Sequence, residues 1–318
     1  MKKQLRIAVL YGGDSTERDV SLDTGEAVAG GLDACGHHVR LIDIRGGSLA
    51  PLDDVDCDLV FIALHGAFGE DGQVQTLLEQ RDIPYTGSGV EASRLAMDKP
   101  AAKARFTQSG VPTPPYFVLD EAMARDDHRA ALVSMGFPQI LKPAREGSSV
   151  GVALARSMPE AAAGLDGCFE LDSRAVVEQW IKGRELTVGI LGSRALPIIE
   201  LVYPTLIFDK HAKYDEGVTK HVIDPELAAG VSERVRSVAR NAHRALGCRD
   251  LSRVDLILSE DAVPYVLEVN TIPGMTATSL VPDAAGAAGI EFPQLCDIIA
   301  RHALRRAAAR EELGPGSP

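Results

Sequence analysis

The residues able to do chemistry in this chain fall into a few short segments. Lys142 ends an apolar run and is followed by Pro143-Ala144-Arg145-Glu146-Gly147-Ser148-Ser149-Val150-Gly151, a strand end opening into a glycine and serine hinge. In such a loop, backbone N–H groups and hydroxyls wrap phosphate oxygens while the lysine supplies point charge. The segment is not the nucleotide P-loop, which needs G-x-x-x-x-G-K-[ST], and a Gly/Ser turn standing alone is more often only a turn. A second group is Arg253-Val254-Asp255 with Glu268-Val269-Asn270. The two-residue period of a strand points Arg253 with Asp255, and Glu268 with Asn270, to common faces. Two carboxylates and an amide oxygen are hard donors suited to Mg²⁺ held beside phosphates. Either pair alone reads as a solvent-facing salt bridge. The apolar flanks Leu256, Ile257, Leu258, Val266 and Leu267 argue against a solvated face, and a buried carboxylate cluster without a cation would be costly. His65, opening His65-Gly66-Ala67-Phe68-Gly69-Glu70-Asp71-Gly72, sits at a strand's carboxyl end, where a lone histidine is more often a structural hydrogen-bonder than a catalyst. Glu17, in Gly12-Gly13-Asp14-Ser15-Thr16-Glu17-Arg18, either answers a helix dipole or binds a ligand. The glycine pair lacks G-x-G-x-x-G, so a dinucleotide oxidoreductase is a poor reading.

These residues need elements to hold them. Continuous apolar runs at 5–11, 39–44 and 59–64, with helical spacing over 20–35, give the order strand, helix, strand, strand. Continuous rather than alternating apolarity points to strands buried on both faces of a parallel sheet. Residues 84–99 and the prolines 112, 114 and 115 mark turns about a short helix near 98–109. A second unit carries strands at 139–142, 150–154 and 175–178 and a helix near 158–170. A hairpin of 184–191 with 195–202 opens a third, followed by an irregular stretch over 203–223. Asp224-Pro225 predicts a helix start, with Leu227, Val231, Val235, Val238, Ala242 and Leu246 as its apolar stripe. Strands at 253–259 and 264–269, a Pro/Gly loop at 270–282 and a helix of about 292–312 complete the chain. No internal repeat is present.

Composition narrows the classes. At 318 residues, 45% apolar and 25% charged, the chain is ordinary globular material large enough for two or three packed units. Thirty-three Lys plus Arg against forty-five Asp plus Glu leave −12, which argues against a nucleic-acid binder working through counterion release. Five scattered cysteines without C-x-x-C indicate neither a disulfide framework nor a zinc knuckle. No signal-like h-region and no 18-residue apolar run is found, so the expected location is the cytoplasm, with no membrane partner.

Taken together the segments resemble one family. GGDSTERDVS (12–21), HGAFGEDG (65–72), PYTGSG (84–89), MDK (97–99), KPAREGSSVG (142–151), VEQW (177–180), AKY (212–214), RVD (253–255) and LEVNTIPGMTATSLVP (267–282) occur in the order found in D-alanine–D-alanine ligases of the ATP-grasp superfamily. One such piece is weak; nine in order are specific. The resemblance implies an α/β fold, α+β in places, with three domains near 1–96, 97–183 and 184–318, the first a parallel-sheet preATP-grasp unit. It implies phosphorylation of one D-alanine carboxylate by ATP and attack by the amine of a second, giving the dipeptide, ADP and phosphate for peptidoglycan precursor synthesis.

The same resemblance supplies roles. Lys99 and Lys142 would hold the α and β phosphates, with Ser149 beside them, and Lys213 the γ-phosphate. Asp255, Glu268 and Asn270 would carry two Mg²⁺ or Mn²⁺ ions. Glu178, Trp180, Ile181 and Glu185 correspond to the adenosine segment, Glu185 meeting the ribose hydroxyls. Arg253 and the Gly274 N–H would stabilise oxyanions at the reacting carbonyl. Glu17 would hold the first substrate's ammonium, with His65 on the substrate side, and Ser279 with Leu280 the second substrate's carboxylate. Glu17, Ser148 and Tyr214 match a hydrogen-bonded trio closing the 203–223 loop. A homodimer is the family expectation. Two stretches depart from the family, Ile207-Phe208-Asp209-Lys210-His211 and His221-Val222-Ile223-Asp224-Pro225. Tyr214 favours dipeptide over depsipeptide formation, a D-Ala–D-lactate or other amino-acid ligase being the alternative on the same frame. A nucleotide-binding protein without catalysis predicts a missing metal ligand or lysine, and none of those is missing.

Overall fold

The computed structural model describes residues 3–204 and 219–313. The chain opens with β1 (Arg6–Gly12), α1 (Arg18–Ala34), β2 (His38–Ile44) and β3 (Leu59–Ile62), and its strands form a parallel sheet in the order β2-β1-β3. Ile7, Ala8, Val9 and Leu10 are each at most 1% exposed, as the unbroken apolar run demands of a middle strand covered on both faces. Two helices follow, α2 (Gln73–Glu79), for which the sequence predicts no element, and α3 (Val90–Met97), where it predicts a turn, and then α4 (Lys99–Gln108). Asp98 caps α4 by accepting the Ala101 N–H at 3.0 Å, with Pro100 in the first turn.

The central unit adds β4 (Tyr116–Asp120), α5 (Arg125–Met135), β5 (Gln139–Pro143), β6 (Ala153–Ala155), α6 (Met158–Phe169) and β7 (Arg174–Gln179). Its antiparallel sheet runs β4-β7-β5-β6, backed by α5 and α6 over Leu119, Leu132, Leu141, Leu165 and Val177. The strand expected at 150–154 is confined to Ala153–Ala155. Upstream of it Ser148 and Ser149 take φ of +50° and +58°, a left-handed turn that β pairing cannot accommodate.

The third sheet is antiparallel, in the order β10-β9-β8-β11-β12, from β8 (Gly183–Leu191), β9 (Arg194–Val202), β10 (Lys220–Ile223), β11 (Leu251–Ser259) and β12 (Pro264–Asn270). Between β10 and β11 lies α7 (Val231–Ala245); after β12 come α8 (Leu280–Ala287) and α9 (Phe292–Leu313). The helix start expected at Asp224-Pro225 is corrected. Asp224 has φ of +48° and donates its N–H to the Ile198 carbonyl at 2.7 Å, prolonging the β10–β9 edge, and α7 begins only after Gly230. The stripe Val231, Val235, Ala239 and Ala242 is buried against β8, β11 and β12. On the opposite face, Leu196, Ile199 and Leu201 share one core with Val28 and Leu32 of α1 and with Leu295 and Ile299 of α9. The last helix thus returns to the first unit. Among the described residues no helix is long and apolar enough to cross a membrane.

Candidate active site

Two adjoining clefts collect the residues singled out from the sequence. The larger, of about 410 Å³, is walled by Lys142 of β5, Glu178 of β7, Trp180 and Ile181 of the following turn, Glu185 of β8, and Ser149 of the hinge. The second, of about 320 Å³, takes Glu17, His65, Ser148, Asn270, Gly274 and Ser279 with Leu280. Lys99, Glu146, Arg253 and Glu268 line both, while Asp255 faces the first. Lys213 and Tyr214 lie outside the described residues.

The floor of the first cleft is a buried ionic cluster. Glu178, 2% exposed, has Lys142 Nζ at 3.0 Å on one oxygen and Lys103 Nζ at 3.1 Å on the other. Burial alone would drive that carboxyl up; the two ammonium groups more than reverse it. For Lys142 burial is likewise outweighed, by Glu178 and Glu268, and the ammonium is held above its ordinary value. Burial pushes Lys99 down, against the pull of Glu268, and presses Lys103 down to about 8. The Lys99 Nζ also donates to the Glu146 carbonyl, and its backbone N–H reaches Ala144 O at 2.9 Å, so α4 and the hinge are tied together. Lys103 was missed from the sequence, although it stands one helical turn beyond Lys99 on α4, the spacing that places two side chains on one face. Tyr203, whose hydroxyl donates to Glu185 Oε2, carried no sequence signal.

Asp255 and Glu268 are register partners on β11 and β12, as are Arg253 and Asn270. The strand period therefore delivers all four side chains to one face. Asp255 accepts from Thr187 Oγ1 at 2.6 Å, Arg253 Nε at 2.9 Å, Arg253 Nη2 at 2.7 Å and Asn270 Nδ2 at 3.0 Å. That pairing more than offsets burial and keeps the Arg253 guanidinium charged. Two carboxylates and the Asn270 amide oxygen fit a hard divalent cation. Among the described residues no group of three His, Cys, Asp or Glu gathers, and oxygens of a bound phosphate or water are of the same hard donor type.

In the second cleft the Ser148 hydroxyl donates to Glu17 Oε1, joining the hinge to the start of α1. Gly66, at φ +68°, lets the backbone pass Glu17; a Cβ there would stand 3.0 Å from Glu17 Oε2. His65 is 5% exposed, with Thr24 Oγ1 3.0 Å from Nε2 and Glu70 Oε1 3.3 Å from Nδ1. Thr24 Oγ1 in turn accepts the Met275 N–H at 3.5 Å, so one consistent assignment has Thr24 donating to Nε2 and Nδ1–H donating to Glu70. Both ring nitrogens are engaged, and the ring props the 271–276 turn. In that turn Gly274 lies so close to Ser279 that a Cβ would come 2.9 Å from its Oγ, leaving the backbone N–H as the group offered.

Comparison with known proteins agrees with this geometry. The family profile described as D-ala D-ala ligase C-terminus matches residues 106–301, and the one described as D-ala D-ala ligase N-terminus matches 48–88. The D-alanine–D-alanine ligase of Pelotomaculum thermopropionicum is 43% identical over 96% of this chain and 99% of its own length, and that of Desulforudis audaxviator 45% identical over 95% and 99%. A crystal structure of D-alanine–D-alanine ligase from Bacillus anthracis complexed with ATP superposes with a TM-score of 0.85 at 37% identity, covering 98% of this chain and 100% of that one. The VanG D-Ala:D-Ser ligase of Enterococcus faecalis gives 0.81 at 27% identity over 95% and 100%. Cleft geometry, nine ordered motifs and identity along nearly the whole length converge: the chain belongs to the D-alanine–D-alanine ligase family.

Proposed function

We propose that this protein joins two molecules of D-alanine at the expense of ATP, releasing D-alanyl-D-alanine, ADP and phosphate. One observation carries the reading: the wall shared by the two clefts consists of Lys99, Glu146, Arg253 and Glu268. A nucleotide in the larger cleft and a carboxylate in the smaller one meet there, which is where a γ-phosphoryl group has to pass from one to the other.

The roles follow from charge and position. Trp180 and Ile181 present main-chain groups to adenine, and Glu185 meets the ribose. Lys142 and Lys99 neutralise the α and β phosphates, with Ser149 and the hinge N–H groups beside them, and Lys213 serves the γ-phosphate. Glu178 keeps Lys142 aimed into the cleft instead of accepting from substrate. Asp255, Glu268 and Asn270 hold Mg²⁺, which when bound screens the phosphate oxygens during transfer. Arg253 and the Gly274 N–H stabilise the oxyanion that develops as the second amine attacks the acylphosphate. Glu17 receives the first ammonium, and Ser279 with Leu280, at the start of α8, the second carboxylate. The Ser148–Glu17 hydrogen bond fastens the hinge over the substrate cleft and excludes water.

ADP release should require both D-alanine and Mg²⁺, and dipeptide should be the product that chromatography finds against a panel of D-serine, D-lactate and other D-amino acids. Glu268→Gln should lower kcat by roughly 100-fold or more, the scale of removing one preorganised electrostatic group. Equal turnover by that variant rejects the metal assignment, and background ADP release from the native chain rejects the ligase.

A further inference from the structure

We infer that His221, oriented by Asp283, is the group that takes the proton from the amine of the second substrate; this rests on the function proposed above. His221 lies on β10 and its ring lines the second cleft. Nδ1–H donates to Asp283 Oδ2 at 2.9 Å, so the neutral ring turns its other nitrogen, Nε2, outward as an acceptor. Nε2 has no hydrogen-bond partner among the described residues.

Asp283 belongs to the first turn of α8, its N–H bonded to Ser279 O at 3.1 Å. That turn carries Ser279 and Leu280, where the second substrate's carboxylate docks. In an α-amino acid the nitrogen lies roughly 2.5 Å from the carboxyl carbon, two bonds away. A substrate anchored by its carboxylate at the start of α8 therefore brings its ammonium beside the element to which His221 is fastened. Proton transfer to Nε2 breaks one ammonium N–H bond and leaves an imidazolium paired with Asp283. The freed amine forms the C–N bond to the acyl carbon, and the C–O bond to phosphate breaks with its electron pair on phosphate. The second amine proton departs with that phosphate as the tetrahedral adduct collapses.

Asp23 of α1 also lines this cleft, and its other candidate bases are already committed. Both nitrogens of His65 are bonded, Glu17 accepts from Ser148, Glu70 from His65, and Glu268 faces the lysine cluster. Carboxylates ionised at neutral pH are in any case weaker bases than an imidazole, whose ordinary range spans it. Against β10 pack β9 and α8. Asp283 is the one titratable group of α8, and β9 sets Leu201 opposite His221. Glu200 of β9 stands opposite Val222 and is held by Arg184 at 2.6 Å.

The test separates amine deprotonation from phosphoryl transfer by trapping the acylphosphate with hydroxylamine, which is already neutral at pH 7 and needs no base. With ATP, Mg²⁺ and D-alanine, His221→Gln should form D-alanyl hydroxamate at the native rate while dipeptide formation falls by about 100-fold, the range for general-base catalysis. The acidic limb of kcat/KM for the second D-alanine should vanish with it. Asp283→Asn should keep hydroxamate formation and lose part of dipeptide formation, because the imidazolium left by proton transfer loses its counter-charge. Dipeptide formation at the native rate in His221→Gln overturns the inference, and so does an equal fall in both products. If the native protein forms no hydroxamate, it is the ligase reading that fails.

Discussion

Glu185 enters the nucleotide cleft from β8 with the Tyr203 hydroxyl donating to it, and burial pushes its carboxyl up to about 7 even against that hydrogen bond. Between the ordinary carboxylate range and pH 7 the unliganded folded state therefore keeps a proton that the unfolded chain has released. The sign follows from linkage: this group's contribution is fully present at acid pH and is lost as pH rises through about 7. The ceiling is on the order of 3 kcal/mol, reduced by the cleft's opening to solvent. Glu185→Gln cannot ionise, so relative to the native protein it should gain thermal stability between pH 5 and pH 8; parallel melting profiles over that range would sink the assignment. The same variant should weaken ATP binding, since an amide meets ribose hydroxyls less well than a carboxylate. Residues of this kind were legible as types: the motif order named Glu185, Glu178 and Lys142. Of their partners, Tyr203 carried no local signal, because its hydrogen bond to Glu185 is made only by folding, and Lys103 showed only its one-turn spacing from Lys99, which does not name Glu178 as its partner.

Helix α4 shows how an element aims a functional group. Asp98 caps it through Ala101, and its other oxygen accepts from Arg174 at 2.6 Å and Arg145 at 3.4 Å, so the helix start is pinned to the central sheet just where Lys99 departs. Asp98→Ala should cost about 1–2 kcal/mol from the cap and raise the KM for ATP several-fold through a looser Lys99. Asp98→Asn, which keeps an accepting oxygen for Ala101, should fall between; an unchanged KM in Asp98→Ala, read alongside urea denaturation, would show that the cap does not aim the lysine. Elements with long apolar runs, β1, β3, β8 and β11, were plain in the sequence because burial on both faces writes itself into composition. Those whose apolar face is short or whose ends are fixed by distant contacts were not. The first category includes α2, α3 and α5; in the second, Asp224-Pro225 has the local chemistry of a helix start, yet Asp224 turns left-handed at φ +48° and gives its N–H to the Ile198 carbonyl at the end of the β10–β9 pairing, tertiary contact overriding propensity.

At the scale of the molecule the −12 charge says only what the surface is; the polyphosphate site is built by folding Lys99 and Lys142 of the central unit and Arg253 of the third sheet into one cleft. Such a site works only if the units keep their spacing, and one buried carboxylate joins three of the pieces. Asp250, just before β11, has a side chain 6% exposed; its Oδ2 accepts the Gly87 N–H at 3.0 Å and its Oδ1 pairs with Arg306 of α9, which also donates to Tyr85 O at 2.7 Å. Arg249 completes the knot, donating Nε to Gly87 O at 3.0 Å and lying over the Tyr85 ring. Gly87 in turn lies against the Thr271 carbonyl, at the start of the turn that ends in Gly274. Asp250→Ala leaves a guanidinium and an amide without their acceptor, a loss of roughly 3–5 kcal/mol when one partner of a buried pair is removed. The nucleotide cleft lies between the central and third sheets and does not depend on this knot, whereas the substrate cleft borrows Glu17 and His65 from the first unit. Asp250→Ala should therefore melt several degrees lower and show a raised KM for D-alanine with the KM for ATP nearly unchanged. If both constants rise together, the knot supports the fold at large and not the spacing between the first unit and the third; if neither moves while the melting point falls, the substrate cleft keeps its shape without it.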